Sequence, residues 1–145
     1  MQSLIVPGKL DSLEVIRKYT MDAAQAAGLQ KPRAYKLSLA VDEIATNIIN
    51  YGYLKAGLEG NIRVEAALDD QALTITLDDI AEYYDPTLKP PPEDDDFTQP
   101  LAERGIGGWG VYLATQGVDK FRYQRLDDHN QNIFIMFIDA NKAHA

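Results

Sequence analysis

The chain has no cysteine, which excludes a disulfide framework and a thiolate metal site. It has few basic residues, 14 against 22 acidic ones, and the formal net charge of −8 argues against direct binding to DNA or RNA. No apolar run approaches the roughly 20 residues that span a bilayer, and no signal-peptide pattern opens the chain. We therefore expect a cytoplasmic protein without a membrane or nucleic-acid partner.

The two histidines, His129 and His144, have no partner at metal-ligand spacing, so we interpret both as surface residues. What the chain does contain, 46% hydrophobic and 25% charged residues over 145 positions, is typical of one globular domain with a single core. We find no internal repeat, and we expect one domain over residues 1–145. An acidic domain can still bind a nucleotide through backbone N–H groups and a metal ion.

The first half of the sequence predicts a short strand and two helices. The strand covers Leu4 to Val6. A capping box of Asp11 and Glu14 opens the first helix, which Gly28 ends. The second helix begins after Pro32 and ends at Gly52. Its apolar residues recur at helical spacing and predict one buried face: Leu37, Val41, Ile44 and Ile48.

The second half changes to the alternating pattern of strands. Residues 62–79 predict a β-hairpin, and residues 120–126 and 133–138 predict two further strands around a polar turn at residues 127–132. Between them, residues 86–104 are proline-rich and acidic and have no periodicity, which is typical of a surface loop. These elements predict an α+β two-layer sandwich, with a mixed or antiparallel β-sheet and helices on one face.

Glu43 and Asn47 are the first candidate site residues. They stand one turn apart on the predicted second helix, beside its apolar face, so their side chains project to the same place. A carboxylate beside an amide oxygen can hold a metal ion and can take a proton from an attacking hydroxyl. Alone, the pair is more typical of a solvated i, i+4 pair on a helix surface.

The second candidate is the acidic and aromatic segment of residues 78–86, at the end of a predicted strand. Asp79 at a strand end, next to aromatic residues, could accept a hydrogen bond from an adenine amino group. The alternative is an aspartate-rich turn with no ligand.

The third candidate is the glycine cluster of Gly105 to Gly110. It matches the dinucleotide pattern G-x-G-x-x-G, but a proline-rich loop precedes it where that pattern requires a strand. Val111 stands where a P-loop would have lysine. Glycines before a helix N-terminus still let the backbone approach a phosphate. A flexible structural hinge is the alternative.

In this order and spacing, the three candidates resemble the ATP-binding fold shared by DNA gyrase, the heat-shock chaperone ATPase, histidine kinases and mismatch-repair ATPases. The chain is most similar to the branch of anti-sigma-factor serine/threonine kinases. Three segments carry the resemblance: Leu39 to Tyr53, Asp79 to Pro86, and Arg104 to Leu113 followed by Val118-Asp119.

The resemblance implies a role for each candidate residue. Glu43 would be the general base for a serine or threonine hydroxyl, Asn47 would ligate Mg²⁺, and Asp79, with Ala81 beside it, would bind the adenine of ATP. Residues 87–104 would form a mobile lid. The remaining candidate residues, all in the third motif, would contact the ATP phosphates: Arg104, Gly105, Gly107, Gly108 and Gly110.

The same resemblance implies an anti-sigma-factor antagonist as the protein substrate. It also allows a sigma factor as a second partner, and a homodimer. Three positions depart from the family pattern: Ala81 replaces a glycine, Ile135 stands where relatives place a threonine that supports adenine binding, and Trp109 replaces a smaller residue. A partner-binding module without ATP turnover is the alternative. The catalytic piece of a split histidine kinase fits less well, because the chain lacks a helix pair with a phosphorylatable histidine.

Overall fold

Five strands form one antiparallel sheet in the computed structural model, which describes residues 1–88 and 115–138. The strands are β1 (Leu4–Pro7), β2 (Asn61–Leu68), β3 (Ala72–Asp79), β4 (Lys120–Leu126) and β5 (His129–Phe137). Their order in the sheet is β1-β2-β3-β5-β4. The predicted hairpin is confirmed as β2 and β3, and the sheet is antiparallel throughout the described part of the chain.

Two helices pack against the sheet and close the core. They are α1 (Ser12–Ala26) and α2 (Lys31–Asn47), and a π-helical segment, Ile48–Leu54, continues α2. Helix α1 contacts β1, β2 and β3, and α2 contacts β5. The alternate residues of β3 and β5 that face these helices are buried, as the period of two predicts. The arrangement is the expected two-layer α+β sandwich. Within the described residues, no helix is long and apolar enough to cross a membrane.

The capping box predicted at the start of α1 does not form. Asp11 has helical backbone angles and makes no side-chain capping bond. The Ser12 hydroxyl instead donates to the carbonyl of Pro7 at 2.6 Å. The chain therefore enters α1 through a turn that is tied to the end of β1. Gly28 ends the helical region as predicted, with φ at +76°.

Gly52 does not end the second helix. The π-helical segment runs through Gly52 to Leu54. A β-carbon at Gly52 would come within 2.7 Å of the β-carbon of Ala81. Gly52 therefore allows this segment to pack closely against the chain after β3. It is needed for its lack of a side chain and not for a left-handed backbone conformation at a helix end.

Strand β5 begins at His129, four residues before the predicted start at Ile133. Asp127 has a positive φ of 55°, which lets β4 and β5 join through a turn of two residues, Asp127 and Asp128. Asn130 and Asn132, predicted to lie in a turn, are therefore strand residues that face the helices. The sequence analysis did not recognise the first residues of β5 as a strand, because the inward positions there are occupied by polar residues.

Candidate functional site

The candidate site is a pocket where the C-terminal end of α2, the π-helical segment, the end of β3 and the start of β5 meet. The lining residues that bear on function are Asn47, Asp79, Ala81, Tyr84, Asn130 and Asn132. The cavity has a volume of about 10 Å³, roughly the space that one water molecule needs. Residues from the first two predicted motifs thus meet in one place.

Asp79 is the buried carboxylate of this pocket, with only 1% of its surface exposed. Its Oδ1 accepts hydrogen bonds from the Ala81 backbone N–H at 2.9 Å and from Asn130 Nδ2 at 3.0 Å. Its Oδ2 is buried and has no hydrogen-bond partner among the described residues. Burial raises the pKa of Asp79, and the two hydrogen bonds partly oppose this rise. Of the two carboxylate oxygens, Oδ1 is fixed by the protein, whereas Oδ2 has room to accept a hydrogen bond as far as the described residues are concerned.

Asn47 and Asn132 add further unpartnered polar atoms. Both residues are at least 97% buried, at 3% and 2% exposed. Neither amide atom of Asn47, and not the Oδ1 of Asn132, has a hydrogen-bond partner in the described part of the chain. Buried polar groups are nearly always paired, so a cluster of unpaired ones on the walls of a single pocket requires an explanation. A water molecule or a polar ligand in the pocket would pair with them.

Glu43 lies one turn before Asn47 on α2, as predicted, but it is not among the residues that line the pocket. The side chain is half-buried. Burial, and to a smaller extent the neighbouring Asp42 carboxylate, raises the pKa of Glu43. A raised pKa makes a carboxylate a better proton acceptor once it is ionised, which is the property that a general base needs.

Asn130 is a site residue that the sequence analysis missed. It is 3% exposed and lies opposite Asp79 in the pairing of β3 with β5. Its Nδ2 donates to Asp79 and also lies within hydrogen-bond distance of the carbonyls of Ala81 and Glu82. The available signal was the alternation of Asn130 and Asn132 in phase with the apolar Phe134 and Met136, which would have extended β5 to the pocket.

Two of the departures from the family pattern, Ala81 and Ile135, fall in the described residues, and only Ala81 lines the pocket. Ala81 is buried in the pocket wall and keeps a negative φ, so its methyl group is accommodated. Ile135 pairs with Thr74 and Lys120 and is only half-buried, because it alternates with the buried Phe134 and Met136. It therefore points to the outer face of the sheet, away from the pocket. The expectation that Ile135 stands at the adenine-supporting position is wrong.

The remaining candidate residues cannot be placed. Arg104, Gly105, Gly107, Gly108 and Gly110, together with Trp109, lie outside the described residues. So does the predicted lid after Leu88. The first two residues of the predicted lid, Thr87 and Leu88, belong to a single turn of 3₁₀-helix, Pro86–Leu88, which begins at the pocket-lining Pro86.

The chain matches the family model described as "Histidine kinase-like ATPase domain" over residues 6–138, and it belongs to that family. Among curated proteins it is similar to the serine-protein kinase RsbW of Halalkalibacterium halodurans, with 24% identity over 123 residues, which cover 81% of this chain and 71% of that protein. The family resemblance inferred from the three motifs is confirmed.

Two solved structures share the fold. The structure of the RsbU and RsbW domains of Rv1364c from Mycobacterium tuberculosis matches with a TM-score of 0.60 at 16% identity, over 94% of this chain and 32% of that one. The chain thus spans about a third of that longer protein. The histidine kinase AdeS of Acinetobacter baumannii matches with a TM-score of 0.50 at 12% identity, over 96% of this chain and 70% of the other. The predicted histidine-kinase-like ATPase fold is confirmed.

Proposed function

We propose that this protein binds ATP in the pocket beside Asp79 and transfers its γ-phosphoryl group to a serine or threonine of an anti-sigma-factor antagonist. The observation that carries the proposal is a cluster of buried polar atoms on the walls of one pocket, on Asn47, Asp79 and Asn132, which have no hydrogen-bond partner within residues 1–88 and 115–138. The similarity to a serine-protein kinase supports the choice of reaction and of partner class.

Adenine recognition would use the Oδ2 of Asp79, which has no partner in the part of the chain that the structure describes. A buried carboxylate oxygen without a partner is a strong acceptor for the exocyclic amino group of adenine. Guanine would present a carbonyl oxygen at the same place, and two acceptors would then face each other without a proton between them. The pocket should therefore prefer adenine nucleotides over guanine nucleotides.

Phosphoryl transfer would use the first motif. The substrate hydroxyl oxygen would form a bond to the γ-phosphorus, the bond from that phosphorus to the β,γ-bridging oxygen would break, and ADP would leave. Glu43 would accept the proton of the hydroxyl. The unpartnered Oδ1 of Asn47 is an oxygen donor of the kind that Mg²⁺ accepts, and this ion, when bound, would neutralise phosphate charge. The glycines of residues 105–110, with Arg104, would contact the phosphates.

The small volume of the pocket bears directly on this proposal. About 10 Å³ is room for a water molecule and not for a purine ring. Binding of ATP therefore requires part of the wall to move. The part of the wall that follows β3, from Ala81 to Pro86, belongs to no strand and no long helix. The same observation favours a second candidate function, a module that binds a regulatory protein or a sigma factor without ATP turnover.

Isothermal titration with Mg-ATP separates these two functions. We expect the wild-type protein to bind, and Asp79→Asn and Asn47→Ala each to weaken binding by about tenfold or more. Asp78→Asn is the matched control, because Asp78 is adjacent in sequence but contacts His129 and Gln131 on the outer face of the sheet. Absence of binding in the wild type would leave the partner-binding function.

Transfer of labelled phosphate to a purified antagonist protein then tests catalysis. Glu43→Gln should retain ATP binding and lose phosphoryl transfer by about 100-fold or more, since a positioned base contributes that much. Glu65→Gln, on the exposed side of β2, is the control and should transfer phosphate normally. Equal activity in the Glu43→Gln variant and the wild type would exclude Glu43 as the base.

A further inference from the structure

Asn130 fixes the orientation of the pocket carboxylate. Its side-chain amide lies between β3 and β4, and Nδ2 donates to Asp79 Oδ1 at 3.0 Å. The same nitrogen lies 3.1 Å from the carbonyl oxygen of Ala81 and 3.2 Å from that of Glu82. One amide group thus holds both the carboxylate and the backbone that follows β3.

The opposite side of Asn130 determines which way its amide points. Its Oδ1 accepts from the hydroxyl of Tyr123 and from Arg125 Nη1, the latter at 2.9 Å. A guanidinium group can only donate, so a flipped amide would place the Asn130 NH₂ group against Arg125 and its oxygen against the Asp79 carboxylate. Both contacts would be repulsive. Tyr123 and Arg125 on β4 therefore keep the amide nitrogen directed at Asp79.

We propose that Asn130 is a positioning residue for nucleotide recognition, which holds Asp79 Oδ1 so that Oδ2 remains the acceptor for the adenine amino group. This inference rests on the proposed function, because it needs the pocket to bind a nucleotide. Asn130 does not itself contact the ligand in this proposal. Without its amide, Asp79 keeps only the backbone bond from Ala81, and the carboxylate can rotate away from the orientation that leaves Oδ2 free.

The test compares two ligands that differ only at the group in question: ATP and purine riboside triphosphate, which lacks the 6-amino group. For Asn130→Ala we expect the affinity for ATP to fall by about tenfold and the affinity for purine riboside triphosphate to change by less than about twofold. Tyr123→Phe, which removes one donor to Asn130, should change the two affinities in the same pattern by about threefold. Gln124→Ala, also on β4, is the control and should bind both ligands as the wild type does.

The outcomes are distinguishable. A wild-type protein that binds neither nucleotide overturns the proposed function and this inference with it. A wild-type protein that binds ATP, with an Asn130→Ala variant that loses the same factor for both ligands, overturns this inference alone, because general damage to the pocket explains the loss. If circular dichroism shows that Asn130→Ala is unfolded, Tyr123→Phe decides, and an unchanged ATP preference in that variant rejects the positioning role.

Discussion

A β-carbon at Gly52 would stand 2.7 Å from the β-carbon of Ala81, closer than two carbon atoms approach in folded proteins. The two residues face each other across the pocket wall, one on the π-helical segment and one after β3. The backbone also joins these segments, because the Glu82 N–H donates to the Gly52 carbonyl at 3.2 Å. Residues 52 and 81 are therefore expected to tolerate one methyl group between them and not two.

Gly52→Ala should destabilise the protein by about 1–3 kcal/mol, the usual cost of overpacking a well-filled site. Ala81→Gly in the same chain removes the opposing methyl group and should recover a large part of that loss. Urea unfolding of the wild type, both single variants and the double variant gives the coupling free energy directly. Additive effects of the two substitutions would mean that residues 52 and 81 do not compete for space.

The pH dependence of stability should reveal the buried Asp79. Burial raises the pKa of this carboxyl, so its stability contribution is fully present below the unfolded value of about 3.9 and is lost as the pH rises through the folded pKa. An asparagine can keep the bonds at Oδ1 and has no charge to bury. Asp79→Asn should therefore be more stable than the wild type at neutral pH, and the gain should shrink as the pH falls towards about 4.

Asp69 provides a control of opposite sign. It lies in the turn before β3 and accepts backbone hydrogen bonds from Gln71 at 2.7 Å and Ala72 at 2.8 Å, which lower the pKa of its exposed carboxyl. Its stabilisation is present above the unfolded pKa and is lost as the pH falls through the folded value. Urea titrations between about pH 2 and pH 8 should therefore show Asp69→Asn less stable at neutral pH, and similar to the wild type only well below the unfolded pKa of about 3.9. A loss of stability at neutral pH in Asp79→Asn would contradict the first prediction.

The parts of the site that the sequence predicted are those whose signal is local. Glu43 and Asn47 are one helical turn apart, so the period of α2 alone places them on the same side. Asn130 could not be found in this way, because its partner Asp79 is 51 residues away and the pairing of β3 with β5 brings them together. Buried asparagines at the start of a strand have the composition of a turn, so their alternation with the apolar residues that follow is a weak signal, and the register of the sheet decides between the two interpretations.

Gly52 failed as a helix-end signal for a related reason. A glycine near the end of a helical pattern usually marks a left-handed residue, as Gly28 does with φ at +76°. Gly52 is instead required by a neighbour that is distant in sequence, the methyl group of Ala81. Local propensity cannot distinguish a glycine that is needed for its backbone angle from one that is needed for its lack of a side chain.

Tyr53 connects the π-helical segment to the end of β3. Its hydroxyl donates to the Asn61 carbonyl at 2.7 Å and accepts from the Ile80 N–H at 3.2 Å, and its ring is fully buried against Gly8 and Gly60. Tyr53→Phe leaves the ring in place and deprives both backbone groups of their side-chain partner. We expect a loss of about 1–2 kcal/mol in the free energy of unfolding, measured by urea denaturation.

The control for this loss is Tyr35→Phe, because Tyr35 is 61% exposed. That variant should unfold within about 0.5 kcal/mol of the wild type. Since Ile80 directly follows Asp79, Tyr53→Phe should also weaken ATP binding in the titration described above. Wild-type stability in Tyr53→Phe would show that water replaces the hydroxyl without loss.

Arg33 links three elements at the end of the two-layer sandwich where α2 begins and β5 ends. Its guanidinium group pairs with the carboxylate of Asp119 through Nη2 and donates from Nη1 to the Phe137 carbonyl at 2.6 Å. The Phe137 N–H donates to the same Asp119 carboxylate at 2.6 Å. The start of α2, the residues before β4 and the end of β5 are thus joined by one planar group with several donors, a geometry that the single nitrogen of lysine cannot reproduce.

Arg33→Lys keeps the charge and should still lower the free energy of unfolding by about 1–2 kcal/mol, because one of the two acceptors loses its partner. The matched control is Lys18→Ala, since Lys18 and Asp22 form an exposed pair 3.0 Å apart on α1 that should contribute at most about 0.5 kcal/mol. Urea unfolding at low and high salt separates the two cases. The Lys18 effect should disappear at high salt, whereas most of the Arg33 effect should persist, because it arises from hydrogen-bond geometry at a partly buried group. A loss in Arg33→Lys that salt abolishes would identify the interaction as simple charge pairing.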